Sequence, residues 1–188
     1  AITQANIETR LGLTAGVLDT FNPPPGVLTS AGNVDVFNGA LTNHTVALET
    51  GNKIAFDWSF FNGEDTASEI TSGYNDIVVL VVTDSAGVKQ YVQITSSEQV
   101  GANVNGATVD ATGTYQYTAA AAGEYQFSWL VLNAKDGAKA SSITVSTPHL
   151  TIGATNYGLP VDIPINAQLT DRDGSESLSV HISGVPAG

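Results

Sequence analysis

The clearest pattern in the chain is an alternation of apolar and polar residues between positions 54 and 60. Its apolar members are Ile54, Phe56, Trp58 and Phe60. Side chains two residues apart project from the same face of an extended chain, so this period is typical of a strand with one face in a core. We therefore predict a core strand over this segment.

A continuous apolar run, 77–82, comes next and is rich in β-branched residues. Such a run predicts a strand that is buried on both faces. Similar signals recur between turn sequences such as Asp84 to Gly87. The predicted strands are 43–49, 53–61, 76–83, 88–95, 114–118, 123–132 and 140–147. Short strands at this spacing predict an all-β fold, and specifically a jelly-roll-like β-sandwich.

Only residues 1–20 show helical spacing, given by Ile7 and Leu11, and we expect Gly12 or Gly16 to end this short helix. The segment 96–113 is polar and rich in glycine. We predict that it is a long loop, with room for a short strand at its middle.

The character of the chain changes after Pro148, where we predict two further strands at 161–169 and 177–183. Two strands cannot bury a core alone. They are either the beginning of a second domain or a pair that docks onto the first. We therefore divide the chain into a sandwich module, 1–150, and a β-rich C-terminal extension, 151–188.

Charge narrows the range of partners. The chain has 6 Lys and Arg against 18 Asp and Glu, which gives a net charge of −12. This balance argues against nucleic acid and anionic membrane surfaces, because both are bound through basic residues. It suits divalent cations, which neutralise clustered carboxylates. The absence of cysteine excludes disulfides and thiolate metal sites, and no apolar run approaches the length of a membrane span.

The densest group of polar side chains lies between the two strongest strands. We interpret it as a calcium site formed by Asn62, Glu64, Asp65, Asn75 and Asp76, because calcium binds six to eight oxygen ligands. The alternative is that the last two residues only cap a turn before a strand. Nearby candidates for ligand binding are Tyr74, which could stack on a ligand, and Asn133 and Asp136, which end a later strand on the same predicted rim.

A second candidate calcium site lies in the C-terminal extension. Asp171, Asp173 and Glu176 surround a tight turn containing Gly174, which brings alternate carboxylates toward one point. The alternative is a solvated acidic turn.

The sequence gives little support for catalysis. Its histidines, His44, His149 and His181, are scattered without metal-ligand spacing, and no nucleophile elbow is present. We therefore expect the protein not to be an enzyme.

Residues 7–147 resemble a β-sandwich module that recurs in large bacterial surface proteins, including RTX adhesins. The resemblance is carried by IE-x-x-LGL-x-x-G-x-LD from Ile7 to Asp19, by F-DW-x-F-x-x-x-E from Phe56 to Glu64, and by Asn75-Asp76. Residues 158–188 are similar to the start of the Ig- or cadherin-like repeats of the same adhesins, with LTD-x-DGSE-x-LS from Leu169.

Together these resemblances imply a calcium-dependent module near the tip of an extracellular adhesin on the bacterial cell surface, acting in cell adhesion and biofilm attachment. The implied partner is a peptide or carbohydrate on a host or neighbouring cell. The implied form is a monomeric module within a longer chain, without membrane insertion. Two alternatives stay open, namely a structural spacer that calcium only rigidifies and an accessory binding domain of a secreted hydrolase.

Overall fold

Antiparallel strands make up most of the protein. The computed structural model describes residues 1–20, 36–135, 137–152 and 155–158. The strands are β1 (Ile2–Thr3), β2 (Val36–Leu48), β3 (Lys53–Phe61), β4 (Ile77–Thr83), β5 (Lys89–Ser96), β6 (Ala111–Thr118), β7 (Gly123–Ala134), β8 (Ser142–Val145), β9 (His149–Ile152) and β10 (Thr155–Gly158). The helices are α1 (Gln4–Leu11), α2 (Ala67–Thr71) and α3 (Ser97–Val100), with a 3-10 turn at Val17–Thr20.

The strands form two sheets. Sheet A has the order β1-β2-β7-β4-β5, and sheet B has the order β10-β9-β3-β6, with β8 also paired to β3. Strands β8 and β9 pair with successive halves of β3. Side chains from both sheets fill one shared core, so the prediction of an all-β sandwich is confirmed.

Aromatic side chains dominate the core between the sheets. The ring of Phe56 on β3 lies 4.9 Å from that of Phe127 and 5.8 Å from that of Trp129, both on β7. All three side chains are fully buried. Burying one such side chain contributes roughly 2 kcal/mol or more, so these rings supply much of the free energy that holds the sheets together.

A second core covers the outer face of sheet A. Helix α1 places Ile7 and Leu11 there, and the following turn adds Leu18. These side chains pack against alternate residues of β4, including Val79 and Val81. Strand β4 is therefore buried on both faces, as its continuous apolar sequence predicted.

The N-terminal segment is held by two carboxylates. Helix α1 ends at Gly12, which takes the left-handed conformation with φ of 58° that glycine adopts readily. The chain then returns to Glu8, whose buried carboxylate accepts hydrogen bonds from the amides of Gly16 at 3.0 Å and Leu18 at 3.2 Å. Asp19 in turn accepts a hydrogen bond from the amide of Val36 at 3.0 Å. These contacts connect α1 to the first long strand.

Several boundaries differ from the prediction. Strand β2 begins at Val36 instead of residue 43, because it pairs with β7 from Ala134 to Gly123. The segment predicted as a long loop with room for a strand contains helix α3, in which the Ser96 hydroxyl accepts a hydrogen bond from the amide of Gln99 at 3.3 Å. Side-chain capping of this kind favours a helical turn at the loop start.

The C-terminal region is described only as far as β10. Strand β9 spans the proposed boundary at residue 150, and it pairs with β3 at Lys53, Ile54 and Ala55. The strands predicted at 161–169 and 177–183 lie outside the described residues, as do Asp171, Asp173 and Glu176.

Replacing Glu8 with alanine should destabilise the protein by about 3 kcal/mol, because the buried amide of Leu18 and the partly buried amide of Gly16 would lose a charged acceptor. Urea denaturation measures this change. The matched control is Glu49→Ala, since Glu49 is exposed and its loss should change the unfolding free energy little. Equal effects of the two substitutions would contradict a structural role for Glu8.

Candidate functional site

Three connections meet at one end of the sandwich, which we call the loop end. They are the β3–β4 connection (62–76), the β5–β6 connection (97–110) and the β7–β8 connection (135–141). Hydrogen bonds join each of them to a neighbour. Asn62 donates to the carbonyl of Gly101 at 2.8 Å, and the amide of Ser141 donates to Asp76 at 3.2 Å.

Asp76 is the centre of this arrangement. Its side chain is 1% exposed. One carboxylate oxygen accepts a hydrogen bond from the amide of Ala134 at 3.0 Å, and the other accepts from Ser141. Its backbone carbonyl accepts from the amide of Ser97 at 2.8 Å. Asp76 therefore ties the start of β4 to the end of β7 and to helix α3.

Two asparagines complete the scaffold. The Asn62 side-chain oxygen accepts hydrogen bonds from the amide of Glu64 at 3.1 Å and from the hydroxyl of Ser97 at 2.7 Å. The side-chain oxygen of Asn75 accepts from the amide of Glu98 at 2.9 Å. Both asparagines are fully buried, so these bonds fix the loops from inside.

Helix α2 presents acidic groups at the surface of this scaffold. Thr66 and Glu69 form a capping box, in which the Thr66 hydroxyl accepts from the amide of Glu69 and the Glu69 carboxylate accepts from the amide of Thr66 at 3.2 Å. The box orients Glu69, whose other oxygen, Oε1, lies 2.5 Å from the ammonium of Lys139.

Lys139 bridges two carboxylates. Its Nζ lies 2.6 Å from Oδ1 of Asp65 as well as 2.5 Å from Glu69. The hydrogen bonds from Lys139 and then from Thr66 lower the pKa of Glu69 to about 2. The hydrogen bonds to Asp65 and Glu69 raise the pKa of Lys139. Glu69 and Lys139 therefore stay ionised across the physiological range.

Tyr74 also faces a cation within the protein. The ammonium of Lys135 lies 5.2 Å from the centre of the Tyr74 ring and donates a hydrogen bond to the carbonyl of Ser72. Lys135 has a φ of 63°, in the left-handed region. The Lys135 side chain therefore connects the residue after β7 to the β3–β4 connection.

A pocket of about 230 Å³ lies at the loop end, lined by Glu64, Glu69, Tyr74, Ala138 and Lys139. Its lining combines carboxylates, one ammonium and one aromatic ring. Such a lining can donate to an anionic or hydroxyl group, accept from hydroxyls, or hold a cation.

The structure separates the predicted site residues into two groups. Glu64 and Tyr74 line the pocket, and Asp65 joins it through Lys139. The buried members are Asn62, Asn75, Asp76 and Asn133, together with Glu64, which lines the pocket but is only 3% exposed.

Asn133 donates to the side-chain oxygen of Asn38 at 2.5 Å, and in the described part of the chain its own side-chain oxygen has no hydrogen-bond partner. Asp136 lies outside the described residues.

Sequence reasoning missed the contribution of Lys139 to the pocket, and it left Glu69, which lies in the same polar loop, out of the predicted ligands. The Thr66-x-x-Glu69 spacing was a usable signal for α2. No sequence signal identified Lys139, because its partners lie about 70 residues away in sequence.

The fit of these residues to calcium differs between the two groups. Asn62 and Asp76 fit poorly, because internal N–H and O–H donors occupy their side-chain oxygens. Asp65 and Glu69 lie nearer the surface and share the ammonium of Lys139 at 2.6 and 2.5 Å, so a calcium ion would have to displace that ammonium. Oε2 of Glu69 also accepts hydrogen bonds from the amide and hydroxyl of Thr66. Among the described residues, no cluster of three or more Asp, Glu, His or Cys is placed to hold a metal ion.

Comparisons with known proteins add no family. No protein-family model matches the chain, and no curated protein is significantly similar to it. Within the described ranges no helix has the length and apolar character needed to span a membrane. The fold itself places the protein in the class of all-β, sandwich-like proteins.

Asp76→Asn should destabilise the protein by about 3 kcal/mol, because an amide nitrogen would replace an oxygen that a buried N–H needs. Thermal and urea denaturation measure the change. Asp65→Asn is the matched control, since Asp65 is exposed and exposed ion pairs contribute little. A loss for Asp76→Asn no larger than for the control would show that the loop end does not depend on this carboxylate.

The pH dependence of stability should reveal the lowered pKa of Glu69. A depressed folded-state pKa stabilises the protein above the unfolded value of 4.5, and this contribution is lost as pH falls toward about 2. The difference in melting temperature between the unmodified protein and Glu69→Gln should therefore be constant near neutral pH and shrink below pH 4.5. When Lys139 is already replaced by methionine, adding Glu69→Gln should change the melting temperature little at every pH. An undiminished change in that background would contradict the assignment of the lowered Glu69 pKa to Lys139.

Proposed function

We propose that the protein is a calcium-dependent ligand-binding module of a bacterial cell-surface adhesin, and that the loop-end pocket is its binding site. The ligand is a peptide or carbohydrate on another cell or surface. The observation that carries the proposal is the pocket itself, in which Glu64, Glu69, Tyr74 and Lys139 line one cavity on a scaffold of buried hydrogen bonds.

The rigidity of this scaffold supports a binding role. Side chains that recognise a ligand need fixed positions, because ordering them on binding costs free energy. Asn62 and Asp76 supply that order from beneath, through side chains that are almost fully buried. The pocket residues are attached directly to these anchors in sequence, since Glu64 follows Asn62 by two residues and Tyr74 precedes Asp76 by two.

The chemistry of the pocket supports a polar ligand. Lys139 can donate to a carboxylate or a sugar hydroxyl, and Tyr74 offers an aromatic face. The pocket volume of about 230 Å³ is below the usual range for whole small-molecule sites. It therefore suits one sugar unit or the terminal group of a peptide.

The residues that we propose bind calcium are Asp65 and Glu69. These carboxylates hold the ammonium of Lys139, and a divalent cation attracts them more strongly than one ammonium does. When bound there, calcium would supply open coordination positions for ligand oxygens. The strong net charge of −12 also favours cation binding.

Isothermal titration of chelator-treated protein with calcium tests the proposal. We expect micromolar to millimolar binding, a higher melting temperature with calcium, and weaker binding in Asp65→Asn and Glu69→Gln. Lys139→Met should bind calcium more tightly, because the competing ammonium is gone. Glu49→Gln removes a carboxylate from an exposed position outside the loop end and should leave binding unchanged.

Peptide and glycan arrays with and without calcium then test ligand binding. A ligand that binds only in the presence of calcium, and whose binding is weakened by Tyr74→Ala, would support the adhesin module.

Three other outcomes would argue against it. Calcium binding without any ligand would favour a spacer. Calcium binding lost only in Asp171→Asn with Asp173→Asn would move the ion to the C-terminal extension and contradict a loop-end site. A melting temperature unaffected by excess chelator would contradict calcium dependence altogether.

A further inference from the structure

A second cavity opens on the side of the sandwich, between the edges of the two sheets. Its volume is about 170 Å³, and we call it the lateral slot. It is lined by Ala40, Leu41, Thr42, Trp129, Val131, Ser141, Ser142 and Ile143. None of these residues lines the loop-end pocket, so the slot is a separate feature of the molecule.

Trp129, one of the residues that line the slot, carries a buried hydrogen-bond donor. Trp129 is fully buried, and its indole Nε1–H has no acceptor within the described part of the chain. Buried polar groups of this kind normally have a partner, because leaving one unpaired costs free energy. The remaining lining is largely apolar, so the slot suits a group that brings one acceptor into an apolar setting.

Two strand edges border the slot. Strand β1 pairs with β2 only at Asn38 and Gly39, which leaves the outer edge of residues 40–48 without a partner strand among the described residues. Among the described residues, strand β8 pairs only with β3, so its other edge also has no partner strand. Neither edge carries a charged side chain or a proline, the features that commonly protect exposed strand edges.

The size of the slot indicates what enters it. Sites for whole small molecules usually measure about 300–1,000 Å³, whereas this slot holds about 170 Å³, enough for one side chain. Unpaired N–H and C=O groups on an adjacent edge are suited to an extended backbone. Together these features fit a peptide strand that inserts one side chain.

Charge indicates the source of the peptide. Each copy of the protein carries a net charge of −12, so pairing between two copies through this edge would bring like charges together. A peptide of another protein, neutral at the inserted residue and flanked by basic residues, is complementary to this field.

We propose that the lateral slot and the free edge of β2 form a second binding site, which accepts an extended peptide of another protein by strand addition. The inserted side chain carries a hydrogen-bond acceptor, such as an asparagine, glutamine or threonine side chain, for Trp129 Nε1–H. This proposal does not rest on the function of the loop-end pocket.

The test uses the full chain and nine-residue peptides of sequence Lys-Thr-Val-Thr-X-Thr-Val-Thr-Lys. In this series X is Asn, Gln, Thr, Leu or Asp. Trp58→Phe leaves Trp129 as the only tryptophan, so its fluorescence reports binding at the slot. We expect the Asn peptide to bind at least about ten-fold more tightly than the Leu peptide, which has a similar size but no acceptor.

Matched variants locate the binding. Ala40→Leu fills the slot and should abolish the response. Ala47→Leu adds the same side chain at an exposed position on the other face of β2 and should leave it unchanged. No binding by any peptide, equal binding of the Asn and Leu peptides, or binding that survives Ala40→Leu would overturn the proposal.

Two further measurements test whether the free edge of β2 is instead covered by another segment of this chain or by a second copy of the protein. Hydrogen exchange of the free protein should show faster exchange at the outward amides of residues 40–48 than at those paired with β7. Protection of both sets would mean that another segment of this chain covers the edge. A concentration-dependent dimer in sedimentation, abolished by Ala40→Leu, would assign the edge to a second copy. Either result would contradict a site for another protein.

Discussion

Burial of β4 on both faces is the constraint on which the rest of the structure depends. Every residue from Ile77 to Val82 is at most 1% exposed. Each such side chain contributes roughly 2 kcal/mol on burial, which exceeds what an exposed ion pair provides. Sheet B must therefore cover one face and α1 the other. The order of the loop end follows from this, because Asp76 immediately precedes the buried run and is fixed with it.

The loop end consists of two layers, which differ in burial and in the kind of interaction that holds them. The inner layer consists of buried polar side chains, above all Asn62 and Asp76. Their oxygens accept hydrogen bonds from donors within the protein. The outer layer consists of charged side chains, in which Asp65 and Glu69 share the ammonium of Lys139. Only the outer layer can exchange an internal partner for a ligand or an ion at low cost, because its groups remain partly solvated.

Much of the fold could be predicted from the sequence, since periodicity reports local burial directly. The alternation at 54–60 and the run at 77–82 identified β3 and β4 nearly residue by residue. The early start of β2 could not be predicted, because it depends on pairing with β7. The site could be located only to a loop. The oxygens of Asn62 and Asp76 looked like ligands in sequence, and their internal donors became visible only in three dimensions. Lys139 was missed for the same reason, since its acidic partners are distant in sequence.

The central claim is that the outer layer of the loop end binds a divalent cation, and terbium luminescence tests it most directly. Terbium replaces calcium at oxygen sites, and a nearby tyrosine that absorbs light can transfer energy to it. Tyr74 lines the same pocket as Glu69. We expect sensitised emission that calcium competes away, that falls strongly in Tyr74→Phe, and that weakens in Glu69→Gln. Emission that is absent, or that is unchanged in both variants, would contradict a cation site at the loop end.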